Sequence, residues 1–168
     1  MFVPKGHKQP AVLSILKAGD KYLLLKRGKE PNLGLYSPVG GKIDAHESPK
    51  NAVIRETMEE SGIKITKPKF CGTIVETSPT KYNWICFVYF SEVEYSKPIH
   101  CKEGVLEWID KKDLEKIPTP KTDVLIYNLV RENKPFQLAV EYNKNMKILS
   151  FVDELSDVEY QQYIGMDK

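Results

Sequence analysis

Short stretches in which apolar and polar residues alternate recur along most of the chain, and segments rich in glycine, proline or asparagine separate them. A period of two with many β-branched and aromatic residues is typical of β-strands. The last two predicted strands should form a hairpin around residues 143–145. The pattern predicts strands at residues 11–16, 22–26, 69–76, 84–93, 105–109, 136–142 and 146–151.

The segment between Ser48 and Gly62 has the pattern of a helix instead. Ser48 suits an N-cap, Pro49 suits the first helical position, and Gly62 suits a left-handed C-cap. Ile54 and Met58 are four residues apart, and we expect both to face the core. Further along the chain, the pattern predicts a helical turn at 112–116 and a second helix at 123–131.

Mixed strands with helices on both faces give an α/β fold, an α/β/α sandwich with a mixed β-sheet between helices. The sequence has neither an internal repeat nor an interdomain linker. We therefore expect one domain over residues 1–168, with its core at about 9–150. The tail at 151–168 is acidic and then tyrosine-rich, and a terminal helix is one interpretation of it.

Composition and charge exclude some classes of protein. The chain has 168 residues, of which 29% are charged and 41% hydrophobic, and its net charge of +2 gives no basis for binding a nucleic acid polymer by charge. It contains neither a run of 18 apolar residues nor the apolar stretch of a signal peptide. Three cysteines without metal-site spacing indicate free thiols, and hence a cytoplasmic protein.

An acidic cluster is the strongest chemical signal. Glu56, Glu59 and Glu60 have the spacing i, i+3 and i+4, so a helix would place them on one face, where like charges repel by about 0.2–0.5 kcal/mol per pair. Such a face is either solvated or holds cations. Oxygen ligands suit Mg²⁺, and the sequence has no cluster of His and Cys that would suit zinc. Arg55 could orient one of the carboxylates.

The spacing around this cluster extends over 23 residues. Gly41 is followed by five residues and Glu47, then by seven residues and Arg55-Glu56. Two residues later come Glu59-Glu60, and after one more residue Gly62-Ile63. This pattern resembles the Nudix box, with Thr57 in a normally apolar position as the one departure. The resemblance covers about residues 9–150 and implies a Nudix hydrolase of the MutT-like type, with the Nudix α/β/α fold.

The resemblance also implies roles for single residues. Glu59 and Glu60 resemble direct metal ligands, and Glu56 resembles either a ligand or the general base, with Arg55 as its orienting partner. Glu47 resembles a further acid at the metal site, and the Gly40 carbonyl resembles a backbone ligand. Glu103 resembles a loop glutamate that reaches the metal in MutT-like members, so we expect it to be both catalytic and metal-binding; a surface loop acid is the alternative.

Substrate contacts are expected at basic and polar positions. Lys26 and Arg27 end the second strand, and a basic residue there resembles the triphosphate-contacting position of MutT-like enzymes; a solvated strand-end charge is the alternative. Because the two side chains lie on opposite faces, only one of them should reach the substrate, and Lys42 follows the glycine pair. Thr122 and Asp123 lie where MutT-like enzymes read the base edge. Asp123 could equally be a helix N-cap.

The expected function is Mg²⁺-dependent hydrolysis, with Mn²⁺ as a second option, of a nucleoside diphosphate linked to another group. The expected substrate is a small nucleotide, a nucleoside triphosphate, oxidised or not, cleaved to monophosphate and pyrophosphate; 8-oxo-dGTP is the example that the resemblance implies. No membrane partner is expected. One alternative is an ADP-ribose or dinucleotide pyrophosphatase, which Pro79 suggests. The other is a non-catalytic nucleotide-binding regulatory module.

Overall fold

A computed structural model describes residues 6–168 of the chain. Within that range, nine strands form one mixed sheet, and two α-helices, α1 at Pro49–Ser61 and α2 at Lys121–Arg131, accompany it. Neither helix of the described range is long and apolar enough to cross a membrane. The strands are β1 Gln9–Ala18, β2 Lys21–Arg27, β3 Tyr36–Lys42, β4 Lys69–Thr77, β5 Trp84–Glu92, β6 Gly104–Asp110, β7 Phe136–Tyr142, β8 Ile148–Asp153 and β9 Val158–Glu159.

The sheet order is β6-β2-β3-β1-β5-β4-β7-β8-β9, with β1 parallel to β5 and antiparallel to β3. Alternate residues of β1 face opposite sides of the sheet. Val12 is in one core cluster with Val53 of α1, whereas Ile15 is in another with Ile126 of α2. The helices therefore cover opposite faces, and the predicted α/β/α sandwich is confirmed.

Strand β3 was missed by the sequence pattern, because Pro38 and the glycine pair interrupt its alternation. The glycine pair thus belongs to the end of this strand. Gly40 pairs with Leu13 of β1, and a Cβ atom on Gly40 would lie 2.1 Å from the Val12 carbonyl oxygen. Glycine is needed here because the two strands approach too closely for a side chain.

Helix α1 begins and ends as predicted. The Ser48 side chain accepts a hydrogen bond from the Asn51 N–H at 3.2 Å, and Gly62 is left-handed with φ 71°. The prediction for Met58 was wrong, since that side chain is 42% exposed. The face of α1 that packs on the sheet includes Glu60, so this glutamate is buried. The buried residues of α1 are Ala52, Val53, Thr57, Glu60 and Ser61.

Thr57 explains this orientation. It is fully buried, and its hydroxyl donates to Ser14 Oγ of β1 at 2.8 Å. The departure from an apolar residue in the motif is thus compensated by a buried hydrogen bond. Because Thr57 faces the sheet, Glu60, three residues later, lies at the sheet surface as well.

The tail is not a terminal helix. After the predicted hairpin of β7 and β8, which the structure confirms, the chain forms β9 and a 3₁₀ helix at Gln161–Tyr163. The rings of Tyr160 and Tyr163 pack on Phe151, with centroids 5.3 and 5.5 Å apart from it. The tyrosines therefore cover the last long strand of the sheet.

Candidate active site

A cavity of about 470 Å³ opens beside α1 and extends toward α2. Two sets of lining residues differ in chemistry. The first, here called the acidic group, consists of Gly40, Gly41, Glu56, Glu60 and Glu103. The second, here called the inner group, consists of Glu76, Tyr82, Trp84, Thr122 and Asp123.

Arg55 organises the acidic side of the cavity from behind. Its guanidinium donates to Glu47 through Nε at 2.9 Å and through Nη2 at 2.8 Å. Nη1 donates to Glu56 at 2.8 Å and to Glu59 at 3.2 Å, and Nη2 reaches the Lys42 carbonyl at 3.0 Å. Hydrogen bonds from Arg55 lower the pKa of Glu47, and the carboxylates raise the pKa of Arg55. Glu56 is thereby held in one orientation.

Glu56 lies directly against the glycine pair. A Cβ atom on Gly41 would be 2.5 Å from the Glu56 carboxylate, so this motif position needs glycine. Burial raises the pKa of Glu56, although hydrogen bonding to Arg55 acts in the opposite direction. The carboxylate is thus partly desolvated and fixed.

Glu60 is the most buried carboxylate of the acidic group, with 7% of its surface exposed. The Gly40 N–H donates to it at 3.0 Å. Burial, opposed by this hydrogen bond and reinforced by Glu56 and Glu103, raises the pKa of Glu60 to about 7. Crowded, desolvated carboxylates of this kind would be stabilised by a cation.

Not every predicted ligand lies in the cavity wall. Glu59 has 58% of its side chain exposed, and both it and Glu47 are bound by Arg55 outside the lining. In residues 6–168, no three acidic, His or Cys side chains form a preassembled metal cluster. The oxygen atoms of Glu56, Glu60 and Glu103 nevertheless share one cavity, and an all-oxygen donor set fits a hard divalent cation.

Glu103 reaches the cavity because β6 pairs with β2 in a register that sets Gly104 opposite Arg27. A Cβ on Gly104 would lie 2.0 Å from the Lys26 carbonyl oxygen. The Glu103 carboxylate forms ion pairs with Lys29 at 2.5 Å and Arg27 at 3.5 Å. A cationic rim thus adjoins the acidic group.

The residues that were predicted to contact the phosphates do not all face the cavity. Arg27 and Lys42 line the cavity. Lys26 does not, and its ammonium lies 5.7 Å from the centroid of the Tyr36 ring. Alternation along β2 therefore leaves Arg27, not Lys26, facing the cavity.

The inner group contains a glutamate that sequence reasoning missed. Glu76 is 6% exposed, and its carboxylate accepts hydrogen bonds from Tyr82 at 2.9 Å and from Tyr142 at 2.7 Å. The Trp84 ring contacts Tyr82 edge-on, with centroids 6.2 Å apart. One signal was present: Glu76 continues the buried alternation of Gly72 and Ile74 in β4.

Asp123 lies at the third position of α2, and the N-cap of that helix is Pro120. The interpretation of Asp123 as an N-cap was therefore wrong. Its carboxyl is 8% exposed and, among the described residues, accepts a hydrogen bond from the Thr122 hydroxyl at 3.4 Å. Burial, reinforced by Glu76, raises the pKa of Asp123 to about 7. Such a group is suited to pairing with a polar ligand atom.

Residues 7–130 match the family model of the NUDIX domain. The chain belongs to the NUDIX family. An uncharacterized Nudix hydrolase of Bacillus subtilis is 31% identical over 114 residues, which cover 65% of this chain and 70% of that protein. An 8-oxo-dGTP diphosphatase of Buchnera aphidicola is 30% identical over 114 residues, or 66% of this chain and 85% of that one. The family assignment makes this Nudix protein a pyrophosphohydrolase.

More distant relatives differ in their substrates. An NAD-capped RNA hydrolase of Citrobacter koseri is 26% identical over 67% of this chain, but the match spans 43% of that protein. The MutT protein of Bacillus halodurans has a TM-score of 0.77 at 24% identity, covering 88% of this chain and 98% of its own. The Nudix domain of Shewanella oneidensis NrtR, solved with ADP-ribose, has a TM-score of 0.67 at 21% identity, covering 75% and 88%. These two structures support the fold.

Proposed function

We propose that this Nudix pyrophosphohydrolase cleaves a nucleoside triphosphate, oxidised or not, to a monophosphate and pyrophosphate. The observation that carries the proposal is the single cavity shared by the acidic group and the inner group. A nucleotide has the same division, with charged phosphates at one end and a flat base at the other. The name of the Buchnera relative, 8-oxo-dGTP diphosphatase, agrees with this substrate class.

The acidic group would hold a divalent cation, Mg²⁺ or alternatively Mn²⁺. Glu56, Glu60 and Glu103 offer carboxylate oxygens, and Gly40, whose carbonyl would be a further ligand, lines the same cavity. Glu59, with 58% of its side chain exposed, would have to turn toward the cation from outside the lining. Glu47 would support the site through its two hydrogen bonds to Arg55. When bound, the cation supplies charge neutralisation of phosphate oxygens and activation of water.

The remaining chemistry belongs to the side chains. Glu56, partly desolvated and oriented by Arg55, is suited to accept a proton from the attacking water. Arg27 and Lys42 would bind the phosphates as cations. Tyr82 and Trp84 provide aromatic surfaces for the base, and Thr122 and Asp123 provide polar contacts to its edge.

ADP-ribose is the competing substrate. The ADP-ribose complex of the Shewanella domain shows that a related fold binds this ligand, at 21% identity. Pro79, which suggested this alternative, is not among the residues that line the cavity. The triphosphate therefore remains the preferred proposal.

A substrate panel tests the proposal. The purified protein is incubated with Mg²⁺ and, separately, with dGTP, 8-oxo-dGTP, ADP-ribose and NAD-capped RNA, in ¹⁸O-labelled water, and the products are identified by mass. We expect labelled products and pyrophosphate from the triphosphates. Cleavage of ADP-ribose or capped RNA alone would replace the proposed substrate. No product from any of the four would favour the non-catalytic regulatory module.

A further inference from the structure

The loop that connects β2 to β3, residues 28–35, forms part of the cavity wall through Glu30, Pro31 and Asn32. Strand β3 runs antiparallel to β1 and begins beside the C-terminal half of that strand, so the loop leaves the sheet at this end. Tyr82, by contrast, precedes β5, whose first residue is opposite the first residue of β1. The 28–35 loop and Tyr82 therefore approach the cavity from opposite ends of the sheet.

Lys168 contacts both the 28–35 loop and Tyr82, although its own side chain is outside the lining of the cavity. Its ammonium lies 3.5 Å from the centroid of the Tyr82 ring and donates a hydrogen bond to Asn32 Oδ1. A cation over an aromatic face is attracted by the ring, most strongly where water is displaced. Lys168 thus joins two parts of the cavity wall that come from different ends of the sheet.

The main chain around Lys168 is fixed by pairing with the start of β8. The Lys168 N–H donates to the Met146 carbonyl at 3.1 Å. The Gly165 N–H donates to the Ile148 carbonyl at 2.8 Å, and the Met166 carbonyl accepts from the Ile148 N–H at 2.9 Å. Because these hydrogen bonds involve only the backbone, a substitution of Lys168 should remove the contacts of the ammonium and leave the segment in place.

Tyr82 has a further anchor, whereas the middle of the 28–35 loop is weakly held. The Tyr82 hydroxyl donates to Glu76 at 2.9 Å, so the ring stays fixed without Lys168. Within residues 6–168, the side chain of Asn32 has its hydrogen bond from Lys168, and the neighbouring Leu33 is 57% exposed. Lys168 therefore ties a loop with little packing of its own to a rigid part of the wall.

We propose that Lys168 is a positioning residue that holds the 28–35 loop beside Tyr82, in the arrangement of the cavity wall that receives the nucleotide. This inference rests on the proposed function. Lys168 acts through Asn32 and Tyr82 and does not itself contact the substrate. Without its ammonium, the loop has to be ordered when the nucleotide binds, and this entropic cost weakens binding. The acidic group is not altered, so the effect should fall on KM and not on kcat.

Hydrogen exchange tests the position of the loop without any nucleotide. In Lys168→Met, the amides of the 28–35 loop should exchange faster than in the wild type, by about fivefold or more, because the loop opens more often. Lys168→Arg keeps a cation that donates and can lie over an aromatic ring, so it should restore slow exchange. Residues 62–68, an irregular segment that does not line the cavity, are the internal reference and should not change.

Steady-state kinetics test whether the held loop serves binding. With the triphosphate that the wild type cleaves fastest, Lys168→Met should raise KM by about 5- to 30-fold and change kcat by less than about threefold. Lys168→Arg should retain most of the wild-type KM. Lys144→Met, at an exposed turn position, is the matched control and should alter neither constant. A purely structural role would lower the active fraction, and hence kcat, without raising KM.

Each outcome bears on the proposal. Unchanged exchange of the loop in Lys168→Met overturns it, as does faster exchange with an unchanged KM. A fall in kcat at constant KM also overturns it, because that result indicates a structural role. If the wild type cleaves no nucleoside triphosphate, the proposed function fails, whereas hydrogen exchange still decides whether Lys168 holds the loop. The KM comparison then uses the nucleotide that the protein does cleave.

Discussion

The acidic group and the inner group occupy one cavity but are built in different ways. Four of the five acidic-group residues lie within 21 consecutive positions, and Glu103 joins them from the turn before β6. The inner group comes from β4, β5, the loop before β5 and α2, and Lys168 lies against it from the end of the chain. One side of the site is therefore mostly local in sequence, and the other side is almost entirely assembled by the fold.

The forces that hold the two groups also differ. Arg55 fixes the carboxylates of the first by short, charge-assisted hydrogen bonds. In the second, Glu76 and Asp123 are carboxyl groups enclosed by protein. Changes in the acidic group should therefore act on turnover, whereas changes in the inner group should act on selectivity and on stability.

Glu56→Gln should have the largest effect. It removes the proposed base while keeping the shape of the side chain beside Gly41, so we expect kcat to fall by roughly 10²–10⁴-fold with little change in unfolding free energy. Steady-state kinetics and chemical denaturation measure both quantities. Glu94→Gln, at an exposed position, is the control. Activity within threefold of the wild type would remove Glu56 from the mechanism.

Glu103→Gln should have the next largest effect on rate. Glu103 lines the cavity from the turn before β6, so turnover should drop by roughly tenfold or more while the fold is retained. The ion pairs with Lys29 and Arg27 are partly exposed and should contribute less than about 1 kcal/mol to stability. Near-normal turnover in this variant would leave Glu103 as a surface loop acid.

Asp123→Asn should alter the pH dependence of stability. The pKa of Asp123 is about 7 in the folded protein and near 3.8 when unperturbed, so the folded state retains the proton between these values. Ionisation of Asp123 therefore destabilises the folded state. The free energy of unfolding of the wild type should fall by up to about 1.4 kcal/mol per pH unit as the pH rises from about 4 to 7. The Asp123→Asn variant has no ionisable group at this position and should not lose stability in this way. Relative to the wild type it should be more stable at pH 8, by on the order of 3 kcal/mol, and similar at pH 4.5.

Urea denaturation of both proteins at the two pH values measures this difference. Glu60, whose pKa is also about 7, lowers the stability of both proteins as the pH rises. Because this effect is common to both, it cancels when their unfolding free energies are subtracted. A stability difference that does not change with pH would show that Asp123 ionises normally in the fold.

Met58→Ala should have the smallest effect. The side chain is 42% exposed, so the free energy of unfolding should change by less than about 0.5 kcal/mol. Val53→Ala on the buried face of the same helix should cost about 2 kcal/mol. Equal losses of unfolding free energy in the two variants would contradict an orientation of α1 in which Val53 is buried and Met58 is exposed.

Structural elements that depend on residues close together in the sequence were predicted well. The caps of α1, the hairpin of β7 and β8, and the strands β4 and β5 follow from alternation, turn residues and capping residues that are neighbours in the chain. Strand β3 was missed because glycine and proline usually end strands, whereas here Gly40 and Gly41 permit close approach to β1 and α1. The tail was misread because its tyrosines pack on Phe151, a contact that periodicity does not reveal.

The sequence alone determined the family motif, the helix that carries it and the chemistry of its carboxylates, because ligands on one helix face are related by the helical repeat. Only the tertiary structure decided which acids enter the cavity. It placed Glu60 in the cavity lining and Glu59 outside it, because the buried face of α1 is the one on which Thr57 bonds to Ser14. It also set Asp123 and Glu76 together on the inner side of the cavity, because strand order and pairing bring together residues that the chain keeps far apart.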